Sequence, residues 1–187
     1  MKTNETLYTI MARRSTRAYK SDSLPENVLN TILEAGQAAP YVMPESRHFS
    51  VIQSRTIIDR INETAIIEGS KISDNHRALF SPPGFDGTYG APVIILVSGK
   101  EESIGYESVC AASIQNILIA AQSLGIATCW AYFPIFVFHS NEADKWREEL
   151  QIPDGFKPCG AVLLGYGLEE ISDGTDDRYK NNIVFIS

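Results

Sequence analysis

Apolar residues recur at helical spacing in much of the chain. This periodicity predicts helices over residues 4–14 and 56–67, with a further helix between a capping-box segment, SLPE at 23–26, and Pro40. The segment 106–124 is helical in pattern but has almost no polar face. Such a helix is expected to be buried on all sides, and a subunit interface is a natural way to cover it. Ser140 or Asn141 is expected to cap a last helix that runs to about Leu150.

Other segments are of strand length and predict strands. These segments lie at 49–53, 92–98, 126–131 and 160–165, and a short final one lies at 183–186. The apolar runs PVIILVS at 92–98 and GAVLLG at 160–165 are typical of strands buried on both faces. The polar, Gly- and Pro-rich segment 68–90 is expected to be a surface excursion. The order of elements favours an α+β sandwich over a regular Rossmann fold, and the absence of repeats or linkers predicts one domain, 1–187.

Composition narrows the functional class. The chain has 187 residues, 44% hydrophobic and 21% charged, which is typical of a packed soluble protein. Its net charge of −7 disfavours a nucleic-acid partner. Residues 1–20 nevertheless hold five basic residues and one acidic residue. This local excess of positive charge is the first indication of an anionic ligand.

The cysteines and the longest uncharged stretch indicate the compartment. Cys110, Cys129 and Cys159 show no Cys-x-x-Cys spacing, so we expect three separate thiols in a reducing, cytoplasmic environment and no iron–sulfur cluster. No apolar signal run follows the N-terminus. Residues 108–141 lack charge, but polar residues, Gly125 and Pro134 interrupt them. We therefore expect a buried helix, turn and strand there, with no membrane span.

The segment RRSTR at 13–17 is the main candidate for chemistry. Three guanidiniums and two hydroxyls just past a helix end can converge on a phosphate. The same arginines could instead form a solvated patch or stabilise the end of the first helix, and composition alone leaves both interpretations open. The GYG at 165–167 lacks the rest of a dinucleotide fingerprint. No metal or hydrolase motif occurs, and the three histidines are isolated. A phosphate site without a nucleophile or acid–base set suggests that a cofactor carries the chemistry.

Several segments resemble one known family. ARRSTRAY at 12–19 resembles the signature that opens the FMN-dependent nitroreductase family. AAP at 38–40, GAPVII at 90–95, AASIQN at 111–116, LGIATCW at 124–130 and GAVLLGY at 160–166 are similar to later segments of that family, in the same order. The resemblance implies a three-layer-like α+β sandwich with a central mixed, mainly antiparallel sheet between helices. It also implies a homodimer through the helix 106–124, with the flavin at the subunit boundary.

The resemblance also implies a set of FMN-binding residues. The phosphate ligands carry over to Arg13, Arg14, Ser15, Arg17 and Arg178. The segment along the flavin ring carries over to Pro40, Tyr41, Val42, Met43 and Glu45, where Met43 and Glu45 replace the usual Asn and Gln. The strand end at Ala131, Tyr132 and Phe133 is expected to supply backbone amides near the ring. No protein residue is assigned a catalytic role, because the flavin carries the reaction, and no metal is expected.

The function implied by the resemblance is an NAD(P)H-dependent FMN oxidoreductase. NADH or NADPH would deliver hydride to flavin N5 and leave, and a small flat acceptor such as a nitroaromatic or quinone would then take its place, giving ping-pong kinetics. Two alternatives remain open at this point. One is a flavin-binding storage or sensing protein without efficient turnover, and the other is an α/β domain that binds a different phosphorylated ligand.

Overall fold

The computed structural model describes residues 4–168 and 183–186. This part of the chain forms six α-helices, four β-strands and one 3₁₀ helix, Phe133–His139. The helices are α1 (Glu5–Ala12), α2 (Glu26–Gln37), α3 (Arg55–Ser70), α4 (Asp74–Phe80), α5 (Tyr106–Ser123) and α6 (Ala143–Glu149). The strands are β1 (Arg47–Ile52), β2 (Val93–Lys100), β3 (Ala127–Ala131) and β4 (Phe156–Gly165).

The four strands form one sheet in the order β1-β2-β4-β3, and every neighbouring pair is antiparallel. The predicted mixed, mainly antiparallel sheet is therefore wholly antiparallel within these strands. Among residues 4–168 and 183–186, the one parallel pairing is an isolated bridge between Ser15 and Thr128. In β2, the predicted burial of an unbroken apolar run on both faces is confirmed, since all of its residues but the last are buried. A register shift after Val97 introduces a bulge between β2 and β4.

Helices cover both faces of the sheet and create two core clusters. Val93, Ile95 and Val97 of β2 pack with the buried residues of α5 and α2. The alternate residues Ile94 and Leu96 pack with α3, the 3₁₀ helix and α6 on the other face. Alternation along one strand thus distributes apolar side chains to two helical layers, as a three-layer α+β sandwich requires.

Several local expectations from the sequence are wrong. Pro25 precedes α2, and no side chain caps that helix, so the predicted capping box does not form. Glu142, rather than Ser140 or Asn141, precedes α6. The segment 68–90 contains α4 and contributes the buried Phe80 to the core, so it is more than a surface excursion. Residues 183–186 form no strand and are 73–96% exposed.

The helix α5 is buried only where it faces the sheet and α2. Its outer residues, including Ala112 and Ile119, are half-buried, which corrects the expectation of burial on all sides within one chain. The neighbouring α1 has no buried residue, and its Leu7, Tyr8, Ile10 and Met11 are 39–69% exposed. A groove of about 1310 Å³ separates α1 from α5. Within the described residues, no helix is both long enough and apolar enough to cross a membrane.

Candidate functional site

The basic segment after α1 is fixed to the sheet by backbone hydrogen bonds. The Thr16 amide donates to the Thr128 carbonyl of β3 over 2.9 Å, and the Lys20 amide donates to the Tyr166 carbonyl over 2.8 Å. The buried Tyr19 hydroxyl reaches the Thr16 carbonyl at 2.9 Å and the Leu163 carbonyl at 3.3 Å. Burial raises the pKa of Tyr19, so its hydroxyl stays protonated. The segment is therefore a rigid extension of the sheet edge beside β3.

Two of the three arginines in this segment lie near one another, and the third turns away. Ser15 forms an isolated bridge with Thr128, the residue before Cys129 on β3. Burial raises the pKa of Cys129, and the Arg17 and Arg13 charges beside the thiol oppose that rise. Arg14 instead donates from Nη1 to the Met11 carbonyl at 2.6 Å and the Arg13 carbonyl at 3.0 Å. Arg14 thus stabilises the carboxyl end of α1, as one interpretation of the sequence predicted.

The local chemistry of this segment fits a phosphate. Residues 6–21 contain four basic residues and no Asp or Glu, so no neighbour in sequence neutralises them. The Thr16 hydroxyl oxygen is buried and has no hydrogen-bond partner among the described residues. A buried polar atom without a partner is costly, and a ligand oxygen is one way to satisfy it. Guanidiniums and hydroxyls side by side form the donor set that phosphate oxygens prefer.

The end of β3 supplies the second part of the candidate site. Ala131 is buried against the core, whereas Tyr132 is 56% exposed and contacts Phe136 edge-on at 5.9 Å. The Phe133 ring lies in an aromatic cluster with Phe80 and Phe85, at centroid distances of 5.4 and 5.8 Å. Phe133 therefore fills core, while Tyr132 lies at the surface beside the strand end.

The loop between α2 and β1 carries the third set of predicted residues. Pro40, Tyr41, Val42, Met43 and Glu45 are all exposed, and Glu45 has a φ of 56°, in the left-handed region. Arg47 holds the base of the loop. Its guanidinium donates to the Gln37 carbonyl, to the Ala39 carbonyl at 2.9 Å and to the Pro40 carbonyl at 3.3 Å, and it lies over the Tyr41 ring at 5.4 Å.

The structure does not bring these three sets together within one chain. The basic segment 13–17 borders β3, and the loop 40–45 leads into β1, so the two flank opposite edges of the sheet. Three strand spacings of about 4.8 Å each separate those edges by roughly 14 Å. The end of β3 lies beside the basic segment. Arg178 lies outside the described residues.

The histidines and acidic residues offer no competing site in the described part of the chain. Residues 4–168 and 183–186 contain no group of three or more His, Cys, Asp or Glu side chains that could hold a metal. His48 packs edge-on against Phe156 at 6.3 Å, and burial lowers its pKa. His76 and His139 both contact the Phe136 ring. Each of the three thus has an aromatic ring as a neighbour, and none belongs to a group in the described residues that could hold a metal.

Sequence reasoning missed one feature of this region. It gave no role to Tyr19, although the aromatic at the end of the ARRSTRAY segment was the available signal. The expectation of three separate thiols is confirmed, since Cys110, Cys129 and Cys159 are all free. Cys110 and Cys129 are buried, as expected of core thiols, whereas Cys159 is only half-buried.

Fold and site together define an α+β protein with a rigid cationic segment suited to a phosphorylated ligand. The model of the nitroreductase family matches residues 10–166, so the chain belongs to the nitroreductase family. This confirms the resemblance that the sequence motifs indicated.

Individual relatives agree with this assignment. A crystal structure of a nitroreductase with bound FMN from Bacteroides fragilis superimposes with a TM-score of 0.89 at 32% identity and covers 99% of this chain and 100% of that one. A nitroreductase with bound FMN from Desulfitobacterium hafniense gives a TM-score of 0.89 at 25% identity, with both chains covered completely. A relative from Methanothermobacter thermautotrophicus, provisionally named NADH dehydrogenase/NAD(P)H nitroreductase, is 29% identical over 94% of this chain and 83% of its own length.

Proposed function

We propose that this protein is an NAD(P)H-dependent FMN oxidoreductase that reduces flat acceptors such as nitroaromatics or quinones in a ping-pong cycle. The observation that carries the proposal is the rigid cationic segment 13–17 docked on β3, in a chain of the nitroreductase family. Two relatives of similar fold are described with bound FMN. When bound, FMN would accept hydride at N5 from the nicotinamide and pass it to the acceptor.

The chain's own residues bind the phosphate in this proposal. Arg13 and Arg17 supply charge-assisted donors, and Ser15 and Thr16 supply hydroxyls. Arg14 contributes by holding the segment against the end of α1, since its Nη1 is directed to backbone carbonyls there. Docking on β3 fixes these groups before the ligand arrives, which reduces the entropy lost on binding. Arg178 is assigned to the same phosphate on the family pattern alone.

The proposed flavin site needs two copies of the chain. The loop at Pro40, Tyr41, Val42, Met43 and Glu45 is assigned to the flavin ring, yet it flanks the sheet edge opposite to the basic segment. A second copy that packs against α1 and α5 can supply its loop to the first copy's phosphate segment. The exposed apolar residues of α1 and the half-buried outer face of α5 support such a homodimer, because this surface would otherwise contact water. The exposed residues 183–186 are proposed to pack on the partner subunit.

The end of β3 completes the site beside the phosphate segment. Backbone amides at Ala131, Tyr132 and Phe133 are assigned to the flavin ring, where donors stabilise negative charge on the reduced ring. Phe133 can contribute only through its backbone, because its ring is packed among Phe80, Phe85 and Phe136. Tyr132 is exposed, so its ring is available to a stacked nicotinamide or acceptor.

The loop residues favour one alternative. Met43 and Glu45 stand where the family usually has an Asn and a Gln, so a carboxylate replaces an amide that donates to the ring. If this change removes hydrogen-bond donors that the flavin ring needs for turnover, the protein would bind flavin for storage or sensing without efficient turnover.

One experiment separates these possibilities. The purified protein is examined by visible absorption, after incubation with FMN and removal of free flavin, and then for NADH and NADPH oxidation with a quinone and with a nitroaromatic. Bound-flavin absorption with steady, acceptor-dependent coenzyme oxidation supports the oxidoreductase. Bound flavin without turnover supports the alternative. A colourless protein that ignores FMN would refute both.

A further inference from the structure

Both hydrogen-bonding groups of the Thr16 backbone are directed toward the sheet. Its amide donates to the Thr128 carbonyl of β3 over 2.9 Å. Its carbonyl accepts from the Tyr19 hydroxyl over 2.9 Å. That hydroxyl also lies 3.3 Å from the Leu163 carbonyl oxygen of β4. The Thr16 backbone is therefore held by β3 through one group and by a tyrosine hydroxyl through the other.

The direction of the Thr16 carbonyl determines the direction of the next amide. No cis peptide bond occurs among the described residues, so the Thr16 carbonyl and the Arg17 N–H lie on opposite sides of one planar peptide group. Because the carbonyl is directed at the Tyr19 hydroxyl beside β4, the Arg17 N–H is directed away from β4 and the core. Within residues 4–168 and 183–186 this N–H has no hydrogen-bond partner. Arg17 thus presents an unbonded backbone donor on the residue that also carries an exposed guanidinium.

Packing fixes the Tyr19 ring and therefore the position of its hydroxyl. The ring is buried and belongs to the same core cluster as Ala91. Gly165 of β4 makes room for it, since a Cβ there would lie 3.1 Å from Tyr19 Cδ1. The Tyr19 backbone is held as well, by an isolated antiparallel bridge to Gly167. Burial raises the pKa of Tyr19, so the hydroxyl keeps the proton that it donates.

The Tyr19 hydroxyl controls the orientation of the peptide group between Thr16 and Arg17. A side chain without this hydroxyl would leave the Thr16 carbonyl without its donor, which costs free energy. Rotation of the peptide group would bring that carbonyl to water. The same rotation would turn the Arg17 N–H inward, because the two groups belong to one rigid plane. The hydroxyl therefore keeps the Arg17 amide directed outward.

The chemistry around this amide suits a phosphate. The Ser15 and Arg17 side chains are exposed on either side of Thr16, whose hydroxyl oxygen is buried without a partner among the described residues. Backbone N–H groups held in one orientation are common donors to anions. A backbone donor that is already oriented loses less entropy on binding than a long side chain that must be ordered. The Arg17 amide would therefore add a pre-oriented donor to the flexible guanidiniums.

We propose that the Arg17 backbone N–H is a further phosphate donor and that the Tyr19 hydroxyl is the positioning group that directs it. The inference rests on the proposed function, which assigns the FMN phosphate to the segment 13–17. It gives a binding role to a backbone group and a positioning role to a side chain that does not touch the ligand. The fold needs the Tyr19 ring for packing, and the phosphate site needs its hydroxyl.

Tyr19→Phe tests the positioning role, because it keeps the ring and removes only the hydroxyl. The apoprotein of this variant is titrated with FMN and, separately, with riboflavin. FMN should bind about three- to tenfold more weakly, the equivalent of one neutral hydrogen bond, and the riboflavin affinity should not change. Unchanged FMN affinity, or an equal loss of FMN and riboflavin affinity, would overturn the positioning role.

Tyr166→Phe is the matched control for the loss of a tyrosine hydroxyl. Tyr166 is half-buried, and its described hydrogen bond is accepted by its backbone carbonyl, from the Lys20 amide. The control should bind FMN and riboflavin as the parent protein does. An FMN loss in Tyr166→Phe as large as that in Tyr19→Phe would contradict a specific role of the Tyr19 hydroxyl. Circular dichroism of both variants establishes that weaker binding is not loss of folding.

The Arg17 amide itself is observed by proton–nitrogen correlation NMR of the full-length protein labelled with isotopic arginine. Its resonance is identified by its loss in Arg17→Lys. Inorganic phosphate and FMN should each shift the Arg17 amide proton downfield, as expected of a donor to a charged oxygen, whereas riboflavin should not. The shift should be smaller in Tyr19→Phe. An Arg17 amide that responds to neither phosphate nor FMN would overturn the proposal.

The two probes separate this inference from the proposed function. A response of the Arg17 amide to inorganic phosphate, in a protein that binds no flavin, would refute the FMN oxidoreductase and support the phosphate donor. Tight FMN binding without a response of that amide would refute the donor and leave the oxidoreductase in place.

Discussion

Arg17 provides the sharpest test of the phosphate site. Its side chain is exposed, and its charge acts on the Cys129 thiol of β3 and on the Tyr19 hydroxyl of the docked segment. Replacing Arg17 with Ala removes a forked cationic donor without removing any backbone contact of the segment. A hydrogen bond to a charged group contributes about 1.5–3 kcal/mol, so FMN should bind roughly 10- to 150-fold more weakly.

The assay is titration of the apoprotein with FMN, followed by quenching of flavin fluorescence, and repeated with riboflavin. Riboflavin has the same ring but no phosphate, so its affinity should not change in Arg17→Ala. Lys20→Ala is the matched control, because Lys20 lies in the same segment and its described hydrogen bond comes from its backbone. Equal weakening of FMN and riboflavin, or unchanged FMN affinity, would refute the assignment of Arg17 to the phosphate.

Three further predictions concern the interface, the loop and the core. Ile119→Glu puts a charge into the groove between α1 and α5 and should convert a dimer to a monomer in sedimentation velocity, whereas Ile67→Glu, at an exposed position on α3, should not. Glu45→Gln should reduce a preference for NADH over NADPH by up to about tenfold, since it removes repulsion of the extra phosphate. An unchanged coenzyme ratio would contradict that placement of Glu45. Gly87→Ala should lower the free energy of unfolding by about 1–3 kcal/mol in urea, because its Cβ would lie 2.5 Å from the Phe133 ring, and an unchanged midpoint would contradict this packing.

The elements that the sequence predicted best are those in which a single physical requirement determines the pattern. β2 is buried on both faces, so its apolar run has no polar interruption until its last residues. The helices α2, α3 and α5 likewise follow from apolar periodicity over many residues. The short α4 was missed because its segment is mostly polar, and its main contribution to the core is the single ring of Phe80.

The start of β4 could not be read from the sequence because its pattern is not that of a regular strand. The prediction began at Gly160, whereas the strand begins at Phe156 and includes Lys157 and Pro158. A lysine and a proline argue against a central strand, but here they lie next to a bulge and beyond the end of β3.

The residues of the proposed phosphate site could be predicted from the sequence. The position of those residues relative to the loop 40–45 could not. The motif at 12–19 indicates an anion site without knowledge of the fold, because its arginines and hydroxyls lie close together in sequence. The relation of that motif to the loop 40–45 depends on the strand order β1-β2-β4-β3, which no local pattern encodes. The family resemblance indicated which residues belong to the site. The strand order shows that the basic segment 13–17 and the loop 40–45 lie at opposite edges of the sheet within one chain.

The docking of the basic segment on β3 and β4 also determines when that segment can reach its folded position during protein synthesis. Residues 13–20 leave the ribosome early, yet Tyr19 bonds to a carbonyl 144 positions later, at Leu163. The segment therefore stays solvated and positively charged until nearly the whole chain has been made. The segment proposed to bind the phosphate is consequently among the last parts to assemble, so cofactor capture at that segment would follow completion of the sheet rather than guide it. A chain that terminates before β4 would retain the motif in sequence and lack the surface that shapes it.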